Sequence, residues 1–411
     1  MISRADVEEL DRADPLRRFR DRFVGADDDL IYLDGNSLGR LPVSAADRLF
    51  EVVHSQWAHG LVRSWESWIG WPRSVGDLLG SVLLGAAPDQ VVLSDSTSVN
   101  LYKLAAAALD LRHSRTTIVS DSGNFPTDRY ILSGLASARG LRVVEVDGTS
   151  LPDVVAALSD DVALVALSHV DYRSGALLPM AEITAAAHGV GALVLWDLCH
   201  SVGAVPVSLD ACAVDFAVGC TYKYLNAGPG APAFLYVASA LQASARQPIW
   251  GWFGQQGQFE MGAQYAPVES IERFLVGTPA VLGIALVEEG VKLLAEAGID
   301  RLRAKGSALT SLLIELADSW LAPLGFEVAS PRSDAQRGSH VSLRHDDAYR
   351  ISQALIEHQV VPDFRRPDLV RLGCSPLTTS FGDVYEAMRR LRDIVSSGRH
   401  LDIEIPTRRV T

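Results

Sequence analysis

Short β-branched runs alternate with longer Ala- and Leu-rich stretches between about residues 90 and 237. The runs are QVVLSD, TTIVSD, LRVVEV, DVALVALSH, GALVLWD and DFAVGC, and stretches such as VNLYKLAAAALDL and MAEITAAAHGV between them have helical periodicity. Nearly continuous apolar runs are typical of parallel strands that helices cover on both faces. The pattern predicts an α/β fold with a mostly parallel sheet, whose strands end at one ligand-binding edge.

A long helical stretch, TPAVLGIALVEEGVKLLAEAG, separates this region from a second one with mixed patterning. The second region contains two candidate strands, HVSLRH and LVRLG, and helical segments between them. We predict three parts: residues 1–50 form an N-terminal segment that packs with the small domain, residues 51–290 form a large domain, and residues 291–411 form a smaller C-terminal α/β domain.

Composition narrows the class of protein. The chain has 411 residues, a formal net charge of −13 and no apolar stretch that approaches the ~18 residues of a membrane span. This charge argues against a nucleic-acid surface, and the highly charged N-terminus lacks the apolar core of a secretory signal. The four cysteines and ten histidines show neither zinc-site spacing nor H-E-x-x-H. We expect a cytoplasmic protein with reduced thiols and no metal site.

Two residues that could carry chemistry follow neighbouring predicted strands. Asp197 ends the strand in LVLWDLCH, with His200 three residues later, and Lys223 follows the strand DFAVG. One interpretation is a buried ion pair between Asp197 and Lys223. The other is that Lys223 forms a Schiff base with pyridoxal phosphate while Asp197 pairs with the pyridine nitrogen, which keeps the ring protonated as an electron sink.

The segment LSDSTSVNLYKL offers hydroxyl groups where a strand gives way to a helix. Thr97 and Ser98 with the exposed N–H groups of the helix start could hold a phosphate, although Ser and Thr are also ordinary N-caps. No Walker motif or G-x-G-x-x-G occurs, which disfavours nucleotide binding. In NFPTDRY, Phe125 could stack on a pyridine ring or anchor the following helix, and Asp128 lies close behind.

Six segments in order resemble kynureninases, which are pyridoxal-phosphate enzymes of the aspartate-aminotransferase fold (fold type I). They are YLDGNSLG, NFPTDRY, WDLCHSVGAVPV, DFAVGCTYKYLNAGPGAPAF, GWFGQ and LVRLGCSPLTTSF, which together span Tyr32 to Phe381. The resemblance implies a large domain with a mostly parallel seven-stranded sheet, a smaller C-terminal domain, and a homodimer with shared active sites.

The resemblance also implies a role for each matching residue. Lys223 carries the cofactor, Asp197 holds its pyridine nitrogen, Phe125 stacks on the ring, and Arg371 binds the substrate carboxylate, although Arg371 could also be an ordinary strand residue. The remaining implied cofactor contacts are Thr97, Ser98 and Tyr222 at the phosphate, Asp128, Ser168 and His200 around the ring, and Trp252 and Thr278 from the partner subunit.

The implied reaction is hydrolysis of the Cβ–Cγ bond of an aryl-ketone amino acid, which gives an anthranilate and alanine. Lys223 would remove the Cα proton, and Tyr222 would assist later proton transfers with a pKa lowered by the neighbouring cation. Four tryptophans lie between residues 57 and 71, and we expect Ser64 and Trp65 to line the aryl pocket. That patch could instead be a dimer-interface or domain-docking surface.

Two other functions remain open from the sequence. A cysteine-desulfurase-like lyase or an aminotransferase would use the same cofactor, but Cys374 in RLGCSPL is expected in strand and turn rather than in a mobile loop. A cofactor-free interaction protein would keep only the scaffold. The ring substituent of the substrate and the pathway, whether tryptophan catabolism, NAD biosynthesis or secondary metabolism, do not follow from these residues.

Overall fold

The computed structural model describes residues 2–26 and 29–404, in which two mixed helix and strand regions lie side by side. The strands are β1 Ile31–Tyr32, β2 Val91–Leu93, β3 Thr117–Asp121, β4 Arg142–Val146, β5 Val162–Ser168, β6 Leu193–Asp197, β7 Phe216–Gly219, β8 Phe234–Val237, β9 Glu327–Val328, β10 His340–Arg344, β11 Val360–Val361, β12 Asp363–Arg365 and β13 Leu369–Gly373.

The helices are α1 Arg4–Ala13, α2 Val43–Glu51, α3 Trp65–Trp68, α4 Trp71–Leu79, α5 Thr97–Leu111, α6 Pro126–Arg139, α7 Leu151–Ala156, α8 Met180–Gly189, α9 Ser239–Gln242, α10 Val281–Ala297, α11 Ile299–Leu316, α12 Ala348–Glu357 and α13 Phe381–Ser396. The predicted helical stretch from Thr278 onward is therefore two helices, which meet at Gly298. Gly298 has a φ of +82°, a conformation that favours glycine.

The main sheet has seven strands in the order β2-β8-β7-β6-β5-β3-β4. The strands from β7 to β4 pair in parallel, and β8 runs antiparallel to both of its neighbours, β7 and β2. The predicted mostly parallel sheet is confirmed. The alternation of apolar runs and helical stretches indicated six of these strands, and β8, in the segment APAFLYV, completes the sheet.

Helices cover both faces of this sheet, which explains why its strands are apolar throughout. On β5 and β6, alternate residues enter two different cores: Val165 and Trp196 pack on one side, and Leu164 and Leu195 pack on the other. All four side chains are fully or almost fully buried. Because successive side chains of a strand point to opposite faces, only an apolar run can satisfy both cores.

The C-terminal region has its own sheet, with order β12-β13-β10-β9 and antiparallel pairing. Its core contains residues from α11, α12, α13 and the inner strands β10 and β13. The predicted strands HVSLRH and LVRLG are these two strands. In their register Ser342 lies opposite Arg371, and His340 lies opposite Gly373.

The N-terminal segment contacts both regions. Val7 and Leu33 belong to the C-terminal core, and β1 pairs in parallel with β11, whereas Phe19 and Phe23 belong to the core beside the main sheet. The domain boundaries at residues 50 and 290 remain a prediction. Within the described ranges, no helix is long and apolar enough to cross a membrane, and no cluster of three or more His, Cys, Asp or Glu side chains could hold a metal ion.

Candidate active site

Lys223 and Asp197 lie at the same edge of the main sheet. Asp197 ends β6 and pairs in register with Val218 of β7. The turn that carries Lys223 follows directly after β7. Lys223 and Asp197 form no ion pair with each other. The Lys223 Nζ instead contacts the His200 Nε2, at 3.3 Å. The interpretation of these residues as a buried ion pair is therefore wrong.

The lysine turn is held by a close backbone approach from the N-terminal segment. The N–H of Gly39 donates to the carbonyl of Tyr222 at 2.8 Å. A Cβ on Gly39 would lie 2.3 Å from the Lys223 carbonyl oxygen and 2.8 Å from the Asn226 Cα. Only glycine fits at this distance, because the opposing atoms belong to the backbone. The glycine that ends the motif YLDGNSLG thus places the lysine.

Two carboxyl groups meet beside the lysine. Asp128 and Asp197 are 4% and 8% exposed, and burial together with the charge of Asp197 raises the pKa of Asp128 well above its usual value. The Cys199 N–H donates to Asp197 Oδ1 at 2.6 Å, which orients this carboxyl group. Two buried carboxyl groups side by side suit a cationic N–H partner such as a protonated pyridine nitrogen.

A hydrogen-bond network connects this pair with the predicted contact Ser168. The Ser168 hydroxyl donates to Asn124 Oδ1 at 2.8 Å, and Asn124 also contacts Asp128. Asn124 is 4% exposed and was not identified from the sequence. Its position directly before Phe125, at the turn between β3 and α6, was the available signal.

Phe125 stands at the mouth of the site. It is 40% exposed and packs edge-to-face on Tyr172, with ring centroids 5.3 Å apart. It directly precedes α6, so it is placed by both the helix start and the tyrosine. Its exposed part leaves room for a second ring, and stacking on the cofactor remains a prediction.

Hydroxyl groups line a cleft of about 640 Å³ at the start of α5. The Ser96 hydroxyl caps this helix by accepting from the Val99 N–H, so the capping role falls on Ser96. Thr97 and Ser98 line the cleft, as do Tyr222 and Thr278. Exposed N–H groups, hydroxyls and a helix start form a typical phosphate site.

Trp252 does not line this cleft. It is 39% exposed and packs edge-on against Phe253 and Phe259. Thr278, in contrast, lines the cleft within its own chain. The prediction that both residues serve the partner subunit's cofactor remains untested by these contacts.

The expected effect of the cation on Tyr222 is wrong in sign. The Lys223 Nζ lies 5.9 Å from the centre of the Tyr222 ring, but burial raises the pKa of Tyr222 rather than lowering it. The neighbouring thiols of Cys220 and Cys199 add to this effect. Desolvation of the phenolate outweighs the attraction of the lysine. The phenol therefore stays protonated and acts as a hydrogen-bond donor.

His200 is neutral for a similar reason. Burial, with the charges of Lys223 and Arg371, lowers the pKa of His200 well below its usual value. A neutral imidazole has one donor and one acceptor nitrogen. A protonated Lys223 can only donate, so the His200 Nε2 accepts from it and the His200 proton lies on Nδ1.

Arg371 of β13 approaches the catalytic edge from the C-terminal sheet, where its charge acts on His200. Its side chain is 1% exposed, and it donates to the Tyr172 carbonyl at 2.5 Å and to the Ser37 hydroxyl at 3.0 Å. Asp363 forms an ion pair with it at 2.5 Å. When the Asn36 amide oxygen faces the guanidinium, it accepts two further hydrogen bonds. A substrate carboxylate must displace at least one of these partners.

Ser64 and Trp65 lie apart from the cleft. The Ser64 hydroxyl donates to the Gln56 carbonyl at 2.7 Å, and Trp65 packs edge-to-face on Trp68 at 5.3 Å. Trp68 shares a small core with residues of α10. Neither predicted aryl-pocket residue lines the cleft of its own chain, and their role stays a prediction.

The residues of this edge fit pyridoxal phosphate. The lysine has no carboxylate ion pair within the described residues, and a pair of buried carboxyl groups lies beside it. The cleft gathers the hydroxyls of Thr97, Ser98, Tyr222 and Thr278, and the Asp95 carboxylate in its lining is neutralised by Lys103. Together with the sheet order, they define an enzyme of fold type I whose cofactor is pyridoxal phosphate.

Solved structures share this fold. A cysteine desulfurase from Thermococcus onnurineus is 20% identical, with a TM-score of 0.80 over 97% of this chain and 99% of that one. The C-DES mutant with glycine covalently linked to its PLP cofactor is also 20% identical, with a TM-score of 0.79 over 91% and 99%. At identities this low, the comparison shows only that the fold is shared.

Sequence comparison identifies the family. Residues 302–391 match the model of the kynureninase C-terminal domain. A kynureninase from Burkholderia mallei is 42% identical over 99% of both chains, and one from Pseudomonas fluorescens is 42% identical over 96% of both. The chain belongs to the kynureninase family, and the resemblance seen in the motifs is confirmed.

Proposed function

We propose that the chain hydrolyses the Cβ–Cγ bond of L-kynurenine, L-3-hydroxykynurenine or a ring-substituted analogue to an anthranilate and L-alanine. Water supplies the added oxygen and both added hydrogens. The observation that carries the proposal is the placement of Lys223, free of any carboxylate partner, beside the Asp128–Asp197 pair. When bound, pyridoxal phosphate supplies the electron sink that such a cleavage requires.

Lys223 moves the proton at the substrate Cα, since its Nζ is the flexible base at the sheet edge. Asp197 holds the pyridine N–H, and Asp128, whose pKa is raised by burial and by the charge of Asp197, lies beside it. Tyr222 donates a hydrogen bond from a phenol that remains protonated. Thr97, Ser98 and Thr278 bind the phosphate in the cleft that they line.

Arg371 binds the α-carboxylate of the substrate. Its planar guanidinium offers a paired hydrogen-bonding edge, which suits a carboxylate better than a lysine would. It already approaches the catalytic edge from the C-terminal sheet, where Asp363 balances its charge. Binding therefore exchanges one carboxylate for another, which limits the cost of opening the network.

Ser64 and Trp65 contact the aryl ring of the substrate across a homodimer interface. The support is their distance from their own cleft and the exposed apolar side chains of the same stretch, Phe50, Trp57 and Val62, which are 64%, 56% and 77% exposed. Light scattering during size-exclusion chromatography tests the dimer. A monomer at micromolar concentration would contradict it.

We further propose a cytoplasmic location and a role in tryptophan breakdown or NAD biosynthesis.

The test of the activity is kcat/KM of the holoenzyme for L-kynurenine and for L-3-hydroxykynurenine. The formation of anthranilate is followed by fluorescence, and alanine is measured in the same samples. Lys223→Ala is the control, and it should lose both the activity and the visible absorption band of the bound cofactor. Sulfide release from L-cysteine, or a band without anthranilate from either substrate, would overturn the proposal in favour of another reaction on this cofactor.

A further inference from the structure

His340 is a fully buried polar side chain that has no protein partner. It lies on β10 with an exposure of 0%, and neither ring nitrogen has a hydrogen bond within the described part of the chain. A buried polar group in this state destabilises the fold. Such a group calls for an explanation, because native proteins leave few of them.

The side chain of His340 points toward the catalytic edge. Residues 340 and 342 share one face of β10, and Ser342 lies opposite Arg371, so His340 and Arg371 share that face of the C-terminal sheet. A Cβ on Gly175 would lie 3.2 Å from the His340 Nε2, so the turn at Gly175 closes the other side. His340 therefore stands between the two sheets.

His200 is the neighbour of His340 across this gap. The ring centroids are 5.7 Å apart at 60°. Two imidazoles joined by a direct N–H···N bond of roughly 2.9 Å have centroids about 5.2 Å apart. The His200 Nδ1–H has no acceptor among the residues that the structure describes, and the His340 ring has an unused acceptor nitrogen. The two rings lie within about half an ångström of bonding distance.

We propose that His340 is a positioning residue that accepts a hydrogen bond from the His200 Nδ1–H in the holoenzyme, which requires the two rings to approach by about half an ångström. The bond strengthens the His200 Nε2 as an acceptor for the Lys223 nitrogen. This inference rests on the proposed role of Lys223 as the residue that carries the cofactor.

Charged and polar groups surround both His340 and Lys223, the two ends of the proposed hydrogen-bond series. His340 is faced by His200, Arg371, Lys223 and Arg365, and burial with these cations keeps it neutral by lowering its pKa. The charge of Lys223 acts on His340, Asp128, Cys199, His200 and Cys220, and its Nζ also lies over the Tyr222 ring. Replacement of a neutral His340 removes no charge. The expected effect on Lys223 therefore passes through His200, which contacts both side chains.

The test compares His340→Phe with His340→Gln, which keeps an acceptor oxygen, and with His400→Phe. His400 is a matched control, because it is 5% exposed, has an unpartnered Nδ1 and lies in the C-terminal region near Asp347. The readout is the pH midpoint of the visible absorption band of the bound cofactor, measured without added amino acid, so that the Lys223 nitrogen is still joined to the cofactor. Kinetic constants with the active substrate complete the comparison.

His340→Phe should lower the midpoint by about one pH unit, because His200 becomes a weaker acceptor for the protonated nitrogen of Lys223. It should also lower kcat about tenfold, with KM changed less than twofold. His340→Gln should restore most of both values, and His400→Phe should change neither. Equal midpoints in wild type and His340→Phe would overturn the inference. The band does not depend on turnover, so this outcome is separate from failure of the proposed activity.

A crystal structure of the wild-type holoenzyme decides the case if His340→Phe does not fold. A His200 Nδ1 to His340 nitrogen distance near 3 Å supports the inference, and a distance above 4 Å overturns it.

Discussion

Lys103 connects the two walls of the phosphate cleft, and its replacement by methionine tests that connection. Its Nζ is fully buried and donates to the Ser94 hydroxyl at 3.1 Å, to Asp95 at 2.7 Å and to the Phe274 carbonyl at 2.7 Å. Ser94 and Asp95 lead into the loop before α5, and Phe274 leads into the opposite wall at residues 275–280. One ammonium therefore holds both walls.

The magnitude follows from what methionine leaves behind. Its volume is similar, so no cavity forms, but the Phe274 carbonyl and the Ser94 hydroxyl lose a charged donor at about 1.5–3 kcal/mol each. The Asp95 side chain is 32% exposed, so water replaces part of its lost contact. Removal of the buried lysine's own desolvation cost offsets some of the loss. We expect a decrease of about 3 kcal/mol in the free energy of unfolding.

Urea unfolding of the cofactor-free protein measures this decrease, and titration with pyridoxal phosphate measures the cleft. We expect Kd for the cofactor to rise at least tenfold, because both walls are released. Lys292→Met is the control, since Lys292 is 50% exposed and pairs only with Glu288 and Glu289 on its own helix. A Lys103→Met protein within 1 kcal/mol of wild type, or one that binds the cofactor equally well, would refute the reasoning.

Three further predictions use single substitutions. Burial raises the pKa of Asp34 to about 6, so the neutral form is favoured in the fold. Wild type should lose roughly 2 kcal/mol of unfolding free energy between pH 4 and 6.5, and Asp34→Asn should flatten that part of a urea-derived stability profile. Gly39→Ala should abolish the cofactor band by displacing the Lys223 turn, whereas Gly134→Ala, with open space around it, should leave the band intact. Burial raises the pKa of Cys374 to about 12, so Cys374→Ala should keep kcat within twofold; loss of activity would instead favour desulfurase-type chemistry.

The sequence was informative where chemistry follows strand ends. Asp197 and Lys223 could be located because buried parallel strands have a clear apolar signature and their ends converge. Arg371 could be placed on a strand for the same reason. The pKa of Tyr222 could not be predicted in the same way, since the balance between desolvation and the nearby cation depends on packing around the phenol.

Residues that act between the two regions escaped prediction. His340 was noted only for its unsuitable metal spacing, and its position against His200 depends on how the C-terminal sheet docks on the main one. Lys103 lies inside a helical stretch whose pattern is that of an ordinary covered helix, and its three partners come from two distant segments. Periodicity contains no information on such contacts.

The two sheets divide the work of the site in a way that makes their contact part of the mechanism. The main sheet supplies the lysine, the carboxyl pair and the phosphate cleft, and the C-terminal sheet supplies Arg371 and His340 on one face. Arg371 is fully engaged in this structure, whereas the ring nitrogens of His340 have no hydrogen-bond partner among the described residues. The two side chains therefore differ in what a new contact requires. A ligand of Arg371 has to replace an existing partner, whereas His340 can gain a partner without losing one.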